Sequence, residues 1–291
     1  MNILEEIFES IKDENNLHGV KKISNYLNKL KSNLKVLRSG YRKVPVKIDY
    51  KDKKNQEVYL IAYLPHYTVP ICEVLEYLNE YHPSLIIPPN LCLIGAGPAP
   101  EIMGFLKFIN DKFKSNEHTN KINIELFDIV SEWGYSRKIL ENIIRNISPK
   151  LKIYEFEDDI SQNISNSSAL LKRYRKNQYK RVVVIQNIIN EIEQQSHEVF
   201  IENIIKCYEN LLAGSFLILI DLTYNVIFNV TYQLETRLKK DVIMRFGGAG
   251  DVVNSRTGIF LPEIIENNLY DSELWPKKRV NYGFSIFYKQ K

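Results

Sequence analysis

Residues 91–108 read LCLIGAGPAPEIMGFLKF, and the order of residue types in that run decides the fold. An apolar run ending at Ile94 reads as a buried strand, Gly95-Ala96-Gly97 as a tight turn, and Glu101 as an acid in the first turn of the helix that follows. Glycine suits such a turn because a Cβ would keep a ligand away from the backbone, and the helix start offers N–H groups. A dinucleotide-binding turn wants glycine where Pro100 stands, and prolines at 98 and 100 remove two donors. The expected ligand therefore has no phosphates.

Outward from this unit, short apolar runs alternate with helical patterns. Strands are expected at 91–95, 122–128, 151–156, 181–187, 214–222, 241–246 and 282–288, with helices at 101–114, 135–147, 166–177, 196–212 and 226–239. Near-continuous apolar strands separated by helices imply a doubly wound, Rossmann-like α/β fold with a seven-stranded, mostly parallel sheet. The last strand follows the turn-rich segment 247–276, which has no clear crossover helix, so it is expected to run antiparallel. Ligands in such sheets sit past the carboxyl ends of the strands, where strand order reverses.

Residues 1–85 read as a basic, helical N-terminal cap preceding a domain at 86–291. Ile3, Leu4, Ile7, Phe8 and Ile11, then Val20, Ile23, Leu27, Leu30, Leu34 and Leu37, recur at helical spacing. VPVKIDY (44–50) and EVYLIAYL (57–64) fit either a hairpin or, for the second, a helix running to Pro65.

The chain of 291 residues is 44% hydrophobic and 25% charged with net charge +4, proportions that exclude collagen-like and low-complexity classes. Three scattered cysteines, Cys72, Cys92 and Cys207, and five histidines without ligand spacing argue against a disulfide scaffold or a metal site. A reducing cytoplasmic location is the expectation, with no membrane span, because Asp221 breaks the most apolar stretch and Glu5 and Glu6 spoil a signal sequence. Charge is uneven: from Lys21 to Lys54 twelve Lys/Arg face two acids, and a second basic run spans Lys172 to Arg181. These suit a polyanion, with Tyr174, Tyr179 and Tyr282 as candidate stacking residues, although lysine-rich helix faces serve solubility equally well.

The run around Gly95 resembles the first motif of the class I S-adenosylmethionine-dependent methyltransferases, whose pattern is apolar-apolar-Asp-x-Gly-x-Gly-x-Gly/Pro. The resemblance extends from Leu91 to the C-terminus in strand order more than in letters, and Leu93 stands where the motif's acid is usual. It implies S-adenosylmethionine as cofactor, with Gly95, Ala96 and Gly97 beneath its methionine part. Asp128, at the end of the second strand, would accept the ribose hydroxyls, with Ile129 and Trp133 beside the adenine. Asp158 or Asp159, after the third strand, would accept the adenine amino group, or would form a solvated acidic loop. Gln186, Asn187, Asn190 and Glu191, after the fourth strand, face the methyl group's exit, with Asn187 and Glu191 as catalytic candidates.

A narrower resemblance joins AYLPHYTVPICEVLEYL (62–78), the glycine turn and VVVIQNIINEI (182–192) to the methyltransferase-like family associated with assembly of the small ribosomal subunit. Tyr63 stands where that family has arginine, and the cysteine cluster that some members use for a metal centre is absent. The expectation is a methyltransferase acting on RNA or a ribonucleoprotein. The alternatives are a small-molecule or peptide methyltransferase using the N-terminal segment as a lid, and a methyltransferase-shaped assembly factor without turnover.

Overall fold

The apolar runs form β1 (Asn90–Ile94), β2 (Asn123–Asp128), β3 (Lys152–Glu157), β4 (Val182–Gln186) and β5 (Phe216–Leu222), all parallel. The computed structural model describes residues 3–43, 45–112, 122–129, 133–148, 151–164, 168–176, 179–223, 225–246, 253–256, 266, 274 and 276–290. Three further strands follow: β6 (Val242–Phe246), β7 (Val253–Arg256) and β8 (Arg279–Tyr288). The sheet order is β3-β2-β1-β4-β5-β8-β6, with β8 antiparallel to both its neighbours. This is a Rossmann-like α/β fold with the expected antiparallel last strand. The count differs by one, because β7 pairs with the first half of β8. Its four residues, Val-Asn-Ser-Arg, are too few to give an alternating signal. The turn-like GGAGD at 247–251 lies outside the described residues.

The N-terminal segment folds as α1 (Ile3–Glu14), α2 (Val20–Gly40), α3 (Lys53–Ala62), α4 (Leu64–Tyr67) and α5 (Val69–Tyr81). The helix reading of 57–64 wins over the hairpin. Asp52 caps α3 by accepting from Lys54 N at 2.8 Å. Every residue from Asn55 to Ala62 is buried, which is why no amphipathic stripe betrays the helix. No single helix among the described residues is long and apolar enough to cross a membrane.

Helices α6 (Glu101–Lys112) and α7 (Gly134–Ile147) cover one face of the sheet. Helices α8 (Ala169–Lys176), α9 (His197–Glu209) and α10 (Asn225–Arg237) cover the other. Side chains alternate accordingly: Leu91 and Leu93 of β1 join the first core, Cys92 and Ile94 the second. The first core runs without a break into α1–α5, so the N-terminal helices and the sheet share one apolar interior. Contact is close at Gly104, where an added Cβ would lie 2.1 Å from Thr68 O. Buried Gln56 ties α3 to α7, its Oε1 accepting from Ser136 N at 2.8 Å, and Tyr282 OH donates to Glu73 on α5 at 2.7 Å.

The same packing corrects part of the polyanion expectation. In the run Lys172 to Arg181, Arg173 and Arg181 turn inward to Glu125, at 2.5 and 2.7 Å, and Tyr179 OH donates to the same carboxylate at 2.5 Å. Tyr174 and Tyr282 are buried. A buried carboxylate on β2 needs those partners more than the surface does, so these three tyrosines are no platform for bases. By contrast, Lys21, Lys22, Lys29, Lys35 and Arg38 of α2 are exposed, as are Arg42, Lys43, Lys47 and Lys51 after it.

Candidate ligand-binding site

Strand register places the chemistry-bearing residues at one edge. Ile94 pairs with Phe127 and with Ile185, Asp128 with Glu157, and Gln186 with Ile220, so each segment past those residues emerges on the same side of the sheet. A cavity of about 370 Å³ opens there, where the order turns from β1 to β4. Its walls include Gly95, Ala96, Gly97, Asp128 and Ile129 from the first two strands. Asp158 and Asp159 after β3, and Gln186, Asn187 and Glu191 after β4, complete the set nominated from the sequence.

The glycine turn is built under tight constraint. Gly95 and Gly97 have φ of +68° and +49°, and Ala99 between two prolines has φ +63°. At Gly95 space is also closed, since an added Cβ would lie 2.1 Å from Ile188 Cδ1; at Gly97 it would make ordinary contact with Trp133 at 3.5 Å. The turn's amides point inward. Gly95 N and Ala96 N donate to Phe127 O at 2.8 and 3.3 Å, Gly97 N to Asp128 Oδ2, and Ala99 N to Ala96 O at 2.6 Å. With Pro98 and Pro100 lacking donors, the turn has no ring of free N–H groups for a pyrophosphate.

Asp128 is the turn's anchor. Its Oδ1 accepts from Ile129 N at 2.6 Å, and Arg137 from α7 stands 3.5 Å from Oδ2. The same arginine donates through Nε to Gly97 O at 2.7 Å, and so clamps the turn from both sides. Burial pushes the Asp128 carboxyl upward, against the pull of Arg137 and the two amides. Arg137 was invisible in the sequence, because a lone arginine on an amphipathic helix reads as surface.

The remaining nominated residues divide. Ile129 is 44% exposed at the cavity rim, whereas Trp133 is buried against Tyr50 and Tyr59, at 4.1 and 5.2 Å between ring centroids. Asp158 accepts from Leu170 N at 2.9 Å and caps α8, while Asp159 accepts from Ser161 N and Oγ at 2.9 and 2.6 Å. Asn187 has φ +57°, a strained conformation that asparagine tolerates, and its N–H donates to Ile220 O at 3.0 Å. Asp221 holds the single-turn helix that follows by accepting from Ile189 N at 3.1 Å. Burial pushes Asp221 up to about 7.

Other wall residues arrive from the N-terminal segment, with no motif to announce them. Tyr41, Val46, Ile48 and Tyr50 of the α2–α3 connection, with Tyr59 and Tyr67, face the ends of β1 and β4. Tyr50 OH donates to Glu191 Oε1 at 3.3 Å, and Val46 N to Asn190 O at 3.3 Å. Glu101, 4% exposed, also lines the cavity; burial pushes its carboxyl up to about 8, and Oε2 has no hydrogen-bond partner. Gln186 Oε1 and Asn190 Oδ1 are likewise buried without partners. Among the described residues, no group of three or more His, Cys, Asp and Glu is placed to hold a metal ion.

No protein-family model matches the chain, and no curated protein matches it. Solved structures similar to it include a protein from Listeria monocytogenes assigned as a class I S-adenosylmethionine-dependent methyltransferase, with TM-score 0.48 and 12% identity over 99% of this chain and 88% of that one. An O-methyltransferase family protein from Burkholderia thailandensis gives TM-score 0.43 and 11% identity, over 93% and 71% of the two chains. A protein from Clostridium thermocellum assigned as an rRNA methylase gives TM-score 0.40 and 12% identity, over 74% and 96%.

Proposed function

We propose that this protein is an S-adenosylmethionine-dependent methyltransferase acting on RNA or a ribonucleoprotein. The observation that carries the reading is the glycine turn bound to Asp128 at the point where strand order reverses, with its amides turned away from any phosphate. The residues fit the cofactor. Gly95 passes where a Cβ would fill the turn, Asp128 offers two oxygens to the ribose hydroxyls, and Ile129 offers an exposed apolar surface to the adenine. Asp158 and Asp159 are engaged in capping and turn bonds, so their task is to shape the adenine wall, with a second interaction to the amino group from either.

When bound, the cofactor supplies a methyl group activated by a sulfonium. The chain's own work is alignment and exclusion of water, which the tyrosine wall and the loop after β4 perform. Glu191, on that loop, would take a proton where the acceptor keeps one, and Asn187 would orient the acceptor. RNA is favoured by the α2–α3 connection, which turns Tyr41, Val46, Ile48 and Tyr50 into the cavity and Arg42, Lys43, Lys47 and Lys51 to solvent. A strand of RNA held by those cations would lie beside the cavity mouth. The bonds from Val46 and Tyr50 across the cavity equally suit a lid over a small-molecule or peptide acceptor. Leu93, in place of the motif's acid, is the feature that favours an assembly factor without turnover.

Calorimetric titration with S-adenosylmethionine and S-adenosylhomocysteine, with NADH as control, tests the cofactor. Micromolar binding of the first two, about −8 kcal/mol, is the expected result. Folded protein that binds neither overturns the reading and leaves the assembly factor. RNA binding that weakens steeply with salt then separates RNA from a small acceptor.

A further inference from the structure

Three residues of one cavity wall each carry a buried acceptor oxygen with nothing to accept from: Glu101 Oε2, Gln186 Oε1 and Asn190 Oδ1. The orientation of Gln186 is fixed, because its Nε2 donates to Tyr67 O at 2.8 Å and its oxygen must turn the other way. Glu101 sits in the first turn of the twelve-residue α6, on the cavity wall beside the glycine turn. Buried acceptors without donors are costly, and what would relieve them is a group that brings several donors and no acceptor. A primary ammonium is that group, with three donors and a positive charge for the carboxylate. A ligand carboxylate or phosphate brings only acceptors and leaves the oxygens of Gln186 and Asn190 unrelieved.

We infer that Glu101 and Gln186 form an ammonium-binding site in this cavity. Resting on the proposed cofactor reading, the ligand's ammonium is the one at the amino-acid end of S-adenosylmethionine. Glu101 then does, from the first turn of α6, what no acid does from β1, where Leu93 is buried in the apolar core. The ionisable groups set against this carboxyl are Asp128 on β2, whose charge adds to the upward push of burial, and Tyr59 on α3. Tyr67, Glu191 and Lys277 share the same cavity wall.

A proton must move when the site fills. With burial holding it at about 8, Glu101 is mostly protonated at pH 7 in the empty protein. An arriving ammonium pairs with the carboxylate, and the carboxyl proton leaves to solvent, one proton released per ligand bound. Neither partner is oxidised or reduced.

The experiment is calorimetry at pH 7 in two buffers of different ionisation enthalpy. Its ligands are S-adenosylhomocysteine and 5′-methylthioadenosine, which lacks the amino-acid end. The wild-type protein is expected to release close to one proton with the first and none with the second. Glu101→Gln should abolish the release and weaken S-adenosylhomocysteine by about thirtyfold or more, while 5′-methylthioadenosine changes less than about twofold. Unchanged proton release or unchanged affinity in the folded variant overturns the site while leaving the cofactor reading intact. Failure of both nucleosides to bind the wild type overturns the cofactor reading and the site with it. If Glu101→Gln does not fold, Gln186→Leu serves the same comparison, and equal loss for the two ligands refutes the assignment.

Discussion

Buried polar groups are handled in opposite ways in two regions of the sheet. On β2, Glu125 is held by Arg173 and Arg181 at 2.5 and 2.7 Å and by Tyr179 OH at 2.5 Å. The Arg181 guanidinium is flanked by the rings of Tyr174 and Tyr179, at 4.6 and 4.7 Å. At the carboxyl ends of β1 and β4, Glu101, Gln186 and Asn190 keep buried oxygens without partners. The first arrangement is complete without any ligand, so its reason is the fold. The second is incomplete until something brings donors, and an incomplete polar group in a cavity marks binding.

The largest effect should come from breaking the completed cluster. Arg181→Met leaves Glu125 buried with a half-exposed arginine and a phenol, and should cost about 3–5 kcal/mol in urea unfolding. Affinity for S-adenosylhomocysteine in the folded fraction should be unchanged; a loss of affinity as large as the loss of stability would erase the division between the two regions. Next comes the turn itself. Gly95→Ala combines φ +68° with a Cβ 2.1 Å from Ile188 and should cost about 2–3 kcal/mol, whereas Gly97→Ala meets only the backbone penalty of about 1–2 kcal/mol. Equal costs would mean that Ile188 yields and that the turn is looser than the contact implies.

These positions differ in how far the sequence announced them. Gly95, Gly97, Asp128 and Gln186 were legible because each lies at the end of an apolar run, where a strand must stop and a parallel sheet puts its site. The helical state of Lys53–Ala62 stays open against a hairpin in the sequence, since burial on all sides removes the periodicity on which helix reading depends. Tyr41, Tyr50 and Arg137 reach the cavity only through tertiary packing, and no local pattern distinguishes them from surface tyrosines and arginines. Glu101 reads as a helix-start acid, a common role, and only its burial without a partner separates it from others of its kind.

A smaller effect sharpens the comparison through pH. Glu101 and Asp221 are held by burial at about 8 and about 7, above their unfolded values, so each favours folding while protonated. Between about pH 4 and pH 8 the unfolded chain carries fewer protons on these groups, and stability should fall as pH rises. Glu101→Gln removes one of the two contributions. Urea unfolding of the unliganded protein should show the variant near wild type at pH 5 and more stable by on the order of 2 kcal/mol at pH 8.5, with the residual slope belonging to Asp221. No pH-dependent gain would mean that Glu101 finds a partner when the site is empty.

The smallest effect on the fold should come from the surface that would lead an acceptor to the cavity. Arg42, Lys43 and Lys47 are exposed on a connection whose other side chains form the cavity wall. Reversing all three to glutamate should change stability by less than about 0.5 kcal/mol and leave S-adenosylhomocysteine binding intact, because none of them touches the buried oxygens. For an RNA, the slope of log affinity against log salt should fall by about two to three units, one phosphate contact being lost per cation removed. The same reversal on Lys172, Arg175 and Lys180, exposed but beside arginines already committed to Glu125, should change the slope less. Equal slopes from the two triple variants would remove the connection's special place beside the mouth. A folded, cofactor-binding triple variant with unaltered RNA affinity would shift the acceptor from a polyanion to a small molecule enclosed by the tyrosine wall.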